Sequence, residues 1–355
     1  MRDELTILLT GAGAPGTRGA LYALRHNPDG VRIRTVGTDL RPDGIGRLWL
    51  DAFHQVDAPE APEYVGSLLA LCQSEGVDLV IPQTTREIAV LARHKQAFAA
   101  AGVPVMVADA AAIDLANDKG RLLELFGRLG LPYPAFHPTR SPEELRAAAA
   151  ELGYPARPVA VKPPVSNGMR GFRILREEAW DLRRFLAEKP TGVEIGLEEL
   201  LAILSRGDGW PELLVTEYLP GPEYSVDAFL RAQAALAVPR LRREIRSGIS
   251  FANEVEYRQD LMETTLAVGR AIGLRYAFGF QYKLDEAGTA KVLECNPRLQ
   301  GTMVASLFGG VNVIWMGVRE ALGEPVAEVP AELTPASFLR YWGGIGLQGG
   351  KAYEI

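Results

Sequence analysis

At 355 residues, with 47% hydrophobic and 23% charged residues, the chain has the length and composition of a soluble globular protein of two or three domains with a large core. A net charge of −6 excludes a general nucleic-acid binder, whose phosphate contacts need clustered positive charge. Two cysteines, Cys72 and Cys295, exclude a disulfide framework; with no 18-residue apolar run and no apolar leader after Met1-Arg2-Asp3-Glu4, the expectation is a cytoplasmic enzyme without a membrane partner.

Leu5 to Thr10 is an apolar run that ends in Gly11-Ala12-Gly13-Ala14-Pro15-Gly16 and leads into a helical stretch through Arg25. Val31 to Gly37 reads as a second strand with Asp39 at its tip. This G-x-G-x-x-G pattern admits two readings: a dinucleotide site with Asp39 on a ribose, or the glycines that any Rossmann-like strand–helix turn needs. Tyr64 to Glu75 predicts an amphipathic helix and Val77 to Ile81 a strand. In the polar loop that follows, Thr84, Thr85 and Glu87 suit either acceptor-substrate contacts or a helix N-cap with an acid in the first turn. Val103 to Val107 predicts a closing strand, with a domain boundary near Ala112.

Asn117-Asp118-Lys119-Gly120 opens a helix striped by Leu122, Leu123, Phe126 and Leu129, and Gly130 stops it. Ser141-Pro142-Glu143-Glu144 is a capping box that starts an alanine-rich helix through Leu152. Pro158 to Pro164 is a strand that delivers Lys162, a flexible loop from Ser166 to Gly171 follows, and Phe172 to Leu175 returns. Such a lysine is a point charge for phosphate oxygens, and the loop's N–H groups are suited to cover them. Trp180 to Leu204 predicts helix, loop and helix without assigned chemistry. Glu212 to Tyr218 is a strand, Pro220 and Pro222 stiffen the path to Glu223, and Ser225-Val226-Asp227 starts another strand. Arg240, Arg242, Arg243 and Arg246, followed by Ser247-Gly248, form the densest basic cluster, which either invites an anion or is solvated surface. Asp260 to Ile272 is an amphipathic helix ending at Gly273, expected behind the next hairpin.

In that hairpin Phe280, Tyr282 and Leu284 alternate with Gln281 and Lys283, Asp285 to Gly288 is turn chemistry, and Lys291 to Asn296 returns. A turn of two or four residues sets Gln281 opposite Val292, on the face with Glu294 and Asn296, and leaves Leu293 and Cys295 on a buried side. Gln281, Glu294 and Asn296 offer hard oxygen ligands suited to Mg²⁺ bound with phosphates, and Arg298 lies just beyond. Thr302 to Phe308 and Val313 to Leu322 predict helices, Phe338 to Trp342 a strand, and Gly343-Gly344-Ile345-Gly346 a turn.

Gln281 followed by Glu294-Cys295-Asn296-Pro297-Arg298 resembles the metal-binding hairpin of the ATP-grasp ligases, in particular the synthetase units of the carbamoyl-phosphate synthase large chain. The resemblance covers roughly residues 1–325. It implies an α/β and α+β architecture: an ATP-grasp fold preceded by a Rossmann-like, parallel-sheet domain. The implied domains are 1–112, then 113–330 with a lid at about 135–215 and a metal and phosphate subdomain at about 216–330, then a tail at 331–355.

Carried onto this chain, the family's pattern puts Lys119, Lys162 and the loop residues Ser166, Asn167 and Gly168 on the nucleotide phosphates. Glu217, Tyr218 and Leu219 run along the adenine, and Glu223 takes the ribose hydroxyls. Gln281 and Glu294 touch the nucleotide through magnesium, which Asn296 completes; Asp227 stands near the lysine and metals. Arg298, Arg246 and Lys162 are the implied catalytic residues. The implied cofactors are ATP and Mg²⁺, as two ions that Mn²⁺ can replace. A small-molecule carboxylate is activated as an acyl phosphate and captured by an amine or similar nucleophile. The alternatives are a carboxylate or carbamate kinase, a carbamoyl-phosphate-synthase-like half protein, and an NAD-dependent oxidoreductase. For the last, His26, His54, His94 and His137 form no recognisable acid–base set. One synthetase unit with no glutaminase motif speaks against a complete carbamoyl-phosphate synthase, and a homodimer is left open.

Overall fold

The structure, a computed structural model, describes residues 2–177, 182–187, 192–231, 234–326, 332–349 and 351–354. The chain forms two compact units, one of Met1–Ala116, Tyr224–Gln281 and Cys295–Ile355, the other of Asn117–Glu223 and Tyr282–Glu294. Of the boundaries expected from sequence, Ala112 falls inside a helix, and residue 330, like Trp180, lies outside the described residues.

The first unit begins with β1 (Glu4–Leu9), α1 (Thr17–Arg25), β2 (Arg32–Asp39), β3 (Ala52–Gln55), α2 (Tyr64–Glu75), β4 (Leu79–Ile81), α3 (Thr85–Ala100) and α4 (Ala110–Asn117). Its strands pair in parallel in the order β3-β2-β1-β4. Ile7, Leu8 and Leu9 are fully buried, as the centre of a sheet covered on both faces requires. Helix α2 has the span expected and closes on Gly76 at φ 63°, a left-handed cap that glycine adopts without strain. Val103 to Val107 is not a strand. Only a parallel bridge from Val105 to Val80 forms, held by the Val80 N–H on Pro104 O and the Met106 N–H on Val80 O.

The second unit contributes α5 (Lys119–Arg128), β5 (Phe136–Thr139), α6 (Pro142–Glu151), β6 (Val159–Lys162), β7 (Arg173–Leu175), α7 (Leu182–Ala187), β8 (Glu194–Ile195), α8 (Leu197–Leu204) and β9 (Leu213–Glu217). Its sheet order is β5-β9-β6-β7-β8. Ser141 caps α6 by accepting from the Glu144 N–H at 3.1 Å, with Pro142 in the first turn. Leu145 and Ala149 of that helix pack with Val159, Val161 and Val215 into a core of its own.

The chain continues with β10 (Glu223–Leu230), β11 (Ala235–Arg246), β12 (Ile249–Val255), α9 (Gln259–Ile272), β13 (Tyr276–Leu284), β14 (Ala290–Asn296), α10 (Ala305–Phe308), α11 (Val313–Ala321), β15 (Ser337–Leu339), β16 (Ile345–Gln348) and β17 (Lys351–Glu354). The sheet order is β14-β13-β10-β11-β12-β15. The chain leaves the first unit within β13 and re-enters it within β14, so the far half of this hairpin belongs to the second. Helix α9 ends at Gly273 and lies behind the sheet, with Gly269 against Leu230 and Phe278.

One core of the first unit is drawn from segments far apart in sequence: Leu5, Ile7, Leu21 and Leu24 pack with Phe229, Val238, Ile314, Trp315 and Val318. Asn312 donates to Ala23 O at 2.7 Å and Trp315 Nε1 to Asp29 at 2.6 Å, fastening α11 to the chain around α1. In the tail, Gly343 and Gly344 are irregular, but Ile345 and Gly346 are not the expected turn. They belong to β16, paired antiparallel with β17, because strand pairing uses only the backbone groups that glycine also has.

Candidate active site

In the second unit, Asp118 caps α5 by accepting from the Arg121 N–H at 3.1 Å, which sets Lys119 at the first helical position. Lys119 is buried. Its Nζ donates to Ser166 O at 3.0 Å and Oγ at 3.4 Å, and lies 3.6 Å from Glu294 Oε2. Lys162, the last residue of β6, is also buried and donates to Leu293 O at 3.3 Å. Burial first, then repulsion from Lys119, push its pKa down to about 8, and Glu294 only partly offsets this. Two buried ammonium groups around one carboxylate leave an excess positive charge that an anionic ligand can neutralise.

The loop after Lys162 is shaped rather than featureless. Arg170 Nη1 donates to Asn167 Oδ1 at 2.6 Å, and Gly168, Met169 and Gly171 all have positive φ. Ser166 is tied to Lys119, as given above. At the end of β9 the Glu217 carboxylate is already committed. Oε2 accepts from the Ala135 N–H at 2.9 Å and Oε1 pairs with Lys291. The Tyr218 ring lies 5.5 Å from the Lys283 ammonium and Leu219 is buried. Among the described residues the main chain of Tyr218 and Leu219 makes no backbone hydrogen bond. Gly221 donates to Leu284 O and Leu284 to Pro222 O, both at 3.0 Å, which fixes this segment to the hairpin; Glu223, half-exposed, opens β10.

The hairpin turn differs from the expected one. The Asp285 N–H donates to Thr289 O at 3.0 Å, so three residues lie between the paired ends, where an even number was needed to set Gln281 opposite Val292. Along β14, Val292 and Cys295 are both buried, which breaks strict alternation, and Leu293 is half-exposed rather than on the buried side. Glu294 and Asn296, both half-exposed, flank the buried Cys295 on β14, and Gln281 is half-exposed on β13. Among the described residues no group of three His, Cys, Asp or Glu gathers around a metal position. In the second unit the one carboxylate of Glu294, beside Lys119, fits magnesium held jointly with phosphates, since Mg²⁺ keeps few protein ligands in such sites.

In the first unit, Arg298 donates to Asn296 Oδ1 at 3.2 Å and Leu299 O at 2.9 Å. Asp227 is not placed to serve a metal. It is fully buried, binds Arg240 through both oxygens at 2.7 Å and accepts from Ser306 at 2.5 Å. The arginine cluster is likewise dispersed. Arg240 also reaches Thr302, Arg242 reaches Ser250 and Gly248 O, and Arg243 pairs with Glu254. Arg246 pairs with Glu244, and its guanidinium lies 4.5 Å from the Phe251 ring. Ser247 and Gly248, at φ 48° and 77°, are the two-residue turn joining β11 to β12, so hairpin geometry alone accounts for the Ser-Gly after Arg246.

The glycine-rich turn is filled by the protein itself. A β-carbon on Gly11 would meet Thr84 and Glu87, one on Gly13 would meet Asp39, and one on Gly16 would meet Gly301. Asp39 accepts from the Gly13 N–H at 2.7 Å and the Arg41 N–H at 3.0 Å, so the acid that a dinucleotide ribose needs is occupied. Thr84 and Glu87 form a capping box for α3, and burial raises the Glu87 pKa. Arg340 has no counterpart in the sequence reading. It donates to Pro15 O at 3.2 Å and Gly301 O at 2.5 Å, clasping that turn to the segment that follows Arg298.

The fold is an ATP-grasp fold preceded by a parallel-sheet domain: residues 209–340 match the family model described as ATP-grasp in the biosynthetic pathway with Ter operon, and residues 7–106 match the PylC-like N-terminal domain. The chain is similar to the carbamoyl phosphate synthase large chain. It is 29% identical to that of Thermomicrobium roseum over 322 residues, 87% of this chain and 27% of the relative. With that of Corynebacterium glutamicum it shares 30% over 246 residues, 65% of this chain and 20% of the relative. The chain thus spans about a quarter of the length of these relatives. Among solved structures, the biotin carboxylase domain dimer of Hydrogenobacter thermophilus 2-oxoglutarate carboxylase, with MgADP, ADP and bicarbonate, matches with a TM-score of 0.70 at 17% identity, covering 99% of this chain and 83% of that one. An ADP complex of N5-carboxyaminoimidazole ribonucleotide synthetase matches with a TM-score of 0.68 at 14% identity, covering 94% and 80%.

Proposed function

We propose that the chain is an ATP- and Mg²⁺-dependent ligase that activates a small carboxylate as an acyl phosphate and joins it to an amine or similar nucleophile, forming a carbon–nitrogen bond. The observation that carries this reading is the buried pair Lys119 and Lys162 around the single carboxylate of Glu294, beside the shaped loop at Ser166. Phosphoryl transfer asks a protein chiefly for positioning and charge neutralisation, and two desolvated ammonium groups supply both. In this assignment Lys119, Lys162, Ser166, Asn167 and Gly168 hold the phosphates. The free main chain at Tyr218 and Leu219 reads the adenine edge, Glu217 fixes that segment, and Glu223 takes the ribose.

Glu294, Gln281 and Asn296 are the ligands for Mg²⁺, as two ions replaceable by Mn²⁺, which supply charge neutralisation on the phosphate oxygens. A carboxylate oxygen bonds to the γ-phosphorus, the bond to the β,γ-bridging oxygen breaks, and ADP leaves; the amine nitrogen then bonds to the acyl carbon, the acyl carbon–oxygen bond to phosphate breaks, and phosphate and a proton from the amine leave. Arg298 orients the acyl phosphate in a two-pronged grip, with Arg246 as a weaker second contact. Among the described residues no helix is long and apolar enough to cross a membrane; small-molecule partners and a cytoplasmic setting belong to this proposal. The description of one structural neighbour as a domain dimer supports a homodimer.

Hydroxylamine trapping tests the reading. With ATP, Mg²⁺ and a carboxylate that is turned over, a hydroxamate forms together with ADP. Acyl phosphate that builds up together with ADP when hydroxylamine and every amine are left out would instead support the kinase alternative. Stabilisation by NAD, and none by ATP–Mg²⁺, would end both.

A further inference from the structure

Strand β12 carries a side chain whose polar atoms are both unsatisfied. Asn253 is 1% exposed, and among the described residues neither its Nδ2 nor its Oδ1 has a hydrogen-bond partner. A buried amide in that condition calls for a ligand or for ordered water. The register sets Asn253 between Arg242 of β11 and Phe338 of β15. Two residues beyond Phe338, Arg340 continues the ladder by donating its N–H to Phe251 O at 2.7 Å. Its side chain therefore leaves the sheet on the face of Asn253, as a diagonal neighbour with Cα atoms about 7–8 Å apart.

Among the described residues the Arg340 guanidinium meets only carbonyl oxygens, Pro15 O and Gly301 O, and its buried Nε has no partner. The cation beside it, Arg240, is already neutralised by Asp227. Burial, then Arg240, hold the Arg340 pKa below the usual range, as an uncompensated cation requires. Phe338 and Arg340 are half-exposed, so solvent reaches the edge of this face while Asn253 forms its floor.

We propose that Asn253 and Arg340 form a head-group site for the acid substrate, and that the head group is the ammonium and carboxylate of an α-amino acid. The complement is set by donors and acceptors. The carboxylate accepts from Asn253 Nδ2 and Arg340 Nε, and the ammonium donates to Asn253 Oδ1. A bare carboxylate leaves Oδ1 unpaired, and a bare amine leaves the Arg340 charge uncompensated. The carboxyl group that is phosphorylated is then a second one, on the side chain, and the substrate class is an α-amino dicarboxylic acid. This rests on the ligase reading above.

The test measures ADP release by the full chain with ATP, Mg²⁺ and hydroxylamine. The probes are aspartate, glutamate and 2-aminoadipate, their deamino forms succinate, glutarate and adipate, and the monoacids propionate, butyrate and pentanoate. At least one amino dicarboxylate is expected to exceed its deamino and monoacid counterparts at least ten-fold in kcat/KM. Asn253→Leu is expected to raise KM for that acid at least ten-fold and leave KM for ATP unchanged, without lowering Tm. Should that variant fail to fold, Asn253→Asp, which sets a competing carboxylate beside Arg340, is expected to show the same loss. Equal use of the deamino acids, an unmoved KM in both variants, or ADP from none of the nine probes overturns the proposal. Stabilisation by ATP–Mg²⁺ on the same sample separates these outcomes from failure of the ligase reading, because it persists if only the substrate class is wrong.

Discussion

Lys119 Nζ stands 3.6 Å from Glu294 Oε2, and Lys162, buried beside both, is the group whose proton this arrangement makes easiest to lose. The two lysines come from a helix start and a strand end, elements that fix their Cα positions before any ligand arrives. Preorganised charge of this kind needs no reorganisation when a phosphate binds.

The pH dependence of nucleotide binding follows from Lys162. Its folded pKa is about 8, against 10.5 for the free side chain, so binding of phosphate takes up a proton as pH rises through 8. The dissociation constant for ATP–Mg²⁺, measured by titration calorimetry, should increase from pH 7.5 to 9.5. A constant value across that range removes Lys162 from the phosphates.

Folding stability should respond in the opposite sense. A depressed lysine pKa means the unfolded chain binds more protons between pH 8 and 10.5, so this group's contribution to stability rises with pH in that window. Lys162→Met removes the burial penalty and should stabilise the protein by roughly 3 kcal/mol at pH 7 while abolishing ATP turnover. Urea denaturation of the variant reads the first effect and ADP release the second.

Glu294→Ala should lower ATP turnover by at least about 100-fold and leave the unfolding free energy read by urea denaturation within about 1 kcal/mol of the parent, because the residue is half-exposed and serves charge rather than packing. Wild-type turnover in this variant would falsify the assignment of the hairpin to magnesium nucleotide.

Asp227→Ala should behave in the reverse way. The buried Arg240 guanidinium loses both oxygens it binds, at an expected cost of about 3–5 kcal/mol in stability. The magnesium concentration for half-maximal turnover, read at a temperature where the variant remains folded, should not move. A shift in that concentration restores Asp227 to the metal site.

Gly16→Ala puts a β-carbon 3.0 Å from the Gly301 Cα and should destabilise by about 1–3 kcal/mol, since backbone lies on both sides. NAD should give no thermal shift in either protein. A shift with NAD that Gly16→Ala abolishes would mean that the turn is a cofactor site after all.

What could be read from the residues was whatever local chemistry decides. Gly76 and Gly273 end helices at the expected places, and Asp285 to Gly288 turn the hairpin, because left-handed caps and turns are written in a few adjacent residues. The strand that delivers Lys162 and the helix that begins at Lys119 were legible for the same reason. The partner of each charge was not. Asp227 and Arg240 are separated by a strand turn, and only the antiparallel register of β10 and β11 brings them together. Arg340 and Pro15 lie at opposite ends of the sequence, so no local pattern links them. Glycines that admit a phosphate and glycines that admit Asp39, Thr84 or Gly301 look identical in a string of letters.

The core shared by α1 and α11 bears on how the polypeptide is made. While a ribosome is still reading the middle of the message, β1 to β4 already exist but Ile314, Trp315 and Val318, which cover Leu21 and Leu24, do not. The nascent N-terminal segment therefore carries an uncovered apolar surface until α11 has been made. A gene split after residue 112 should yield a first half that aggregates when produced alone and recovers when the second half is co-expressed.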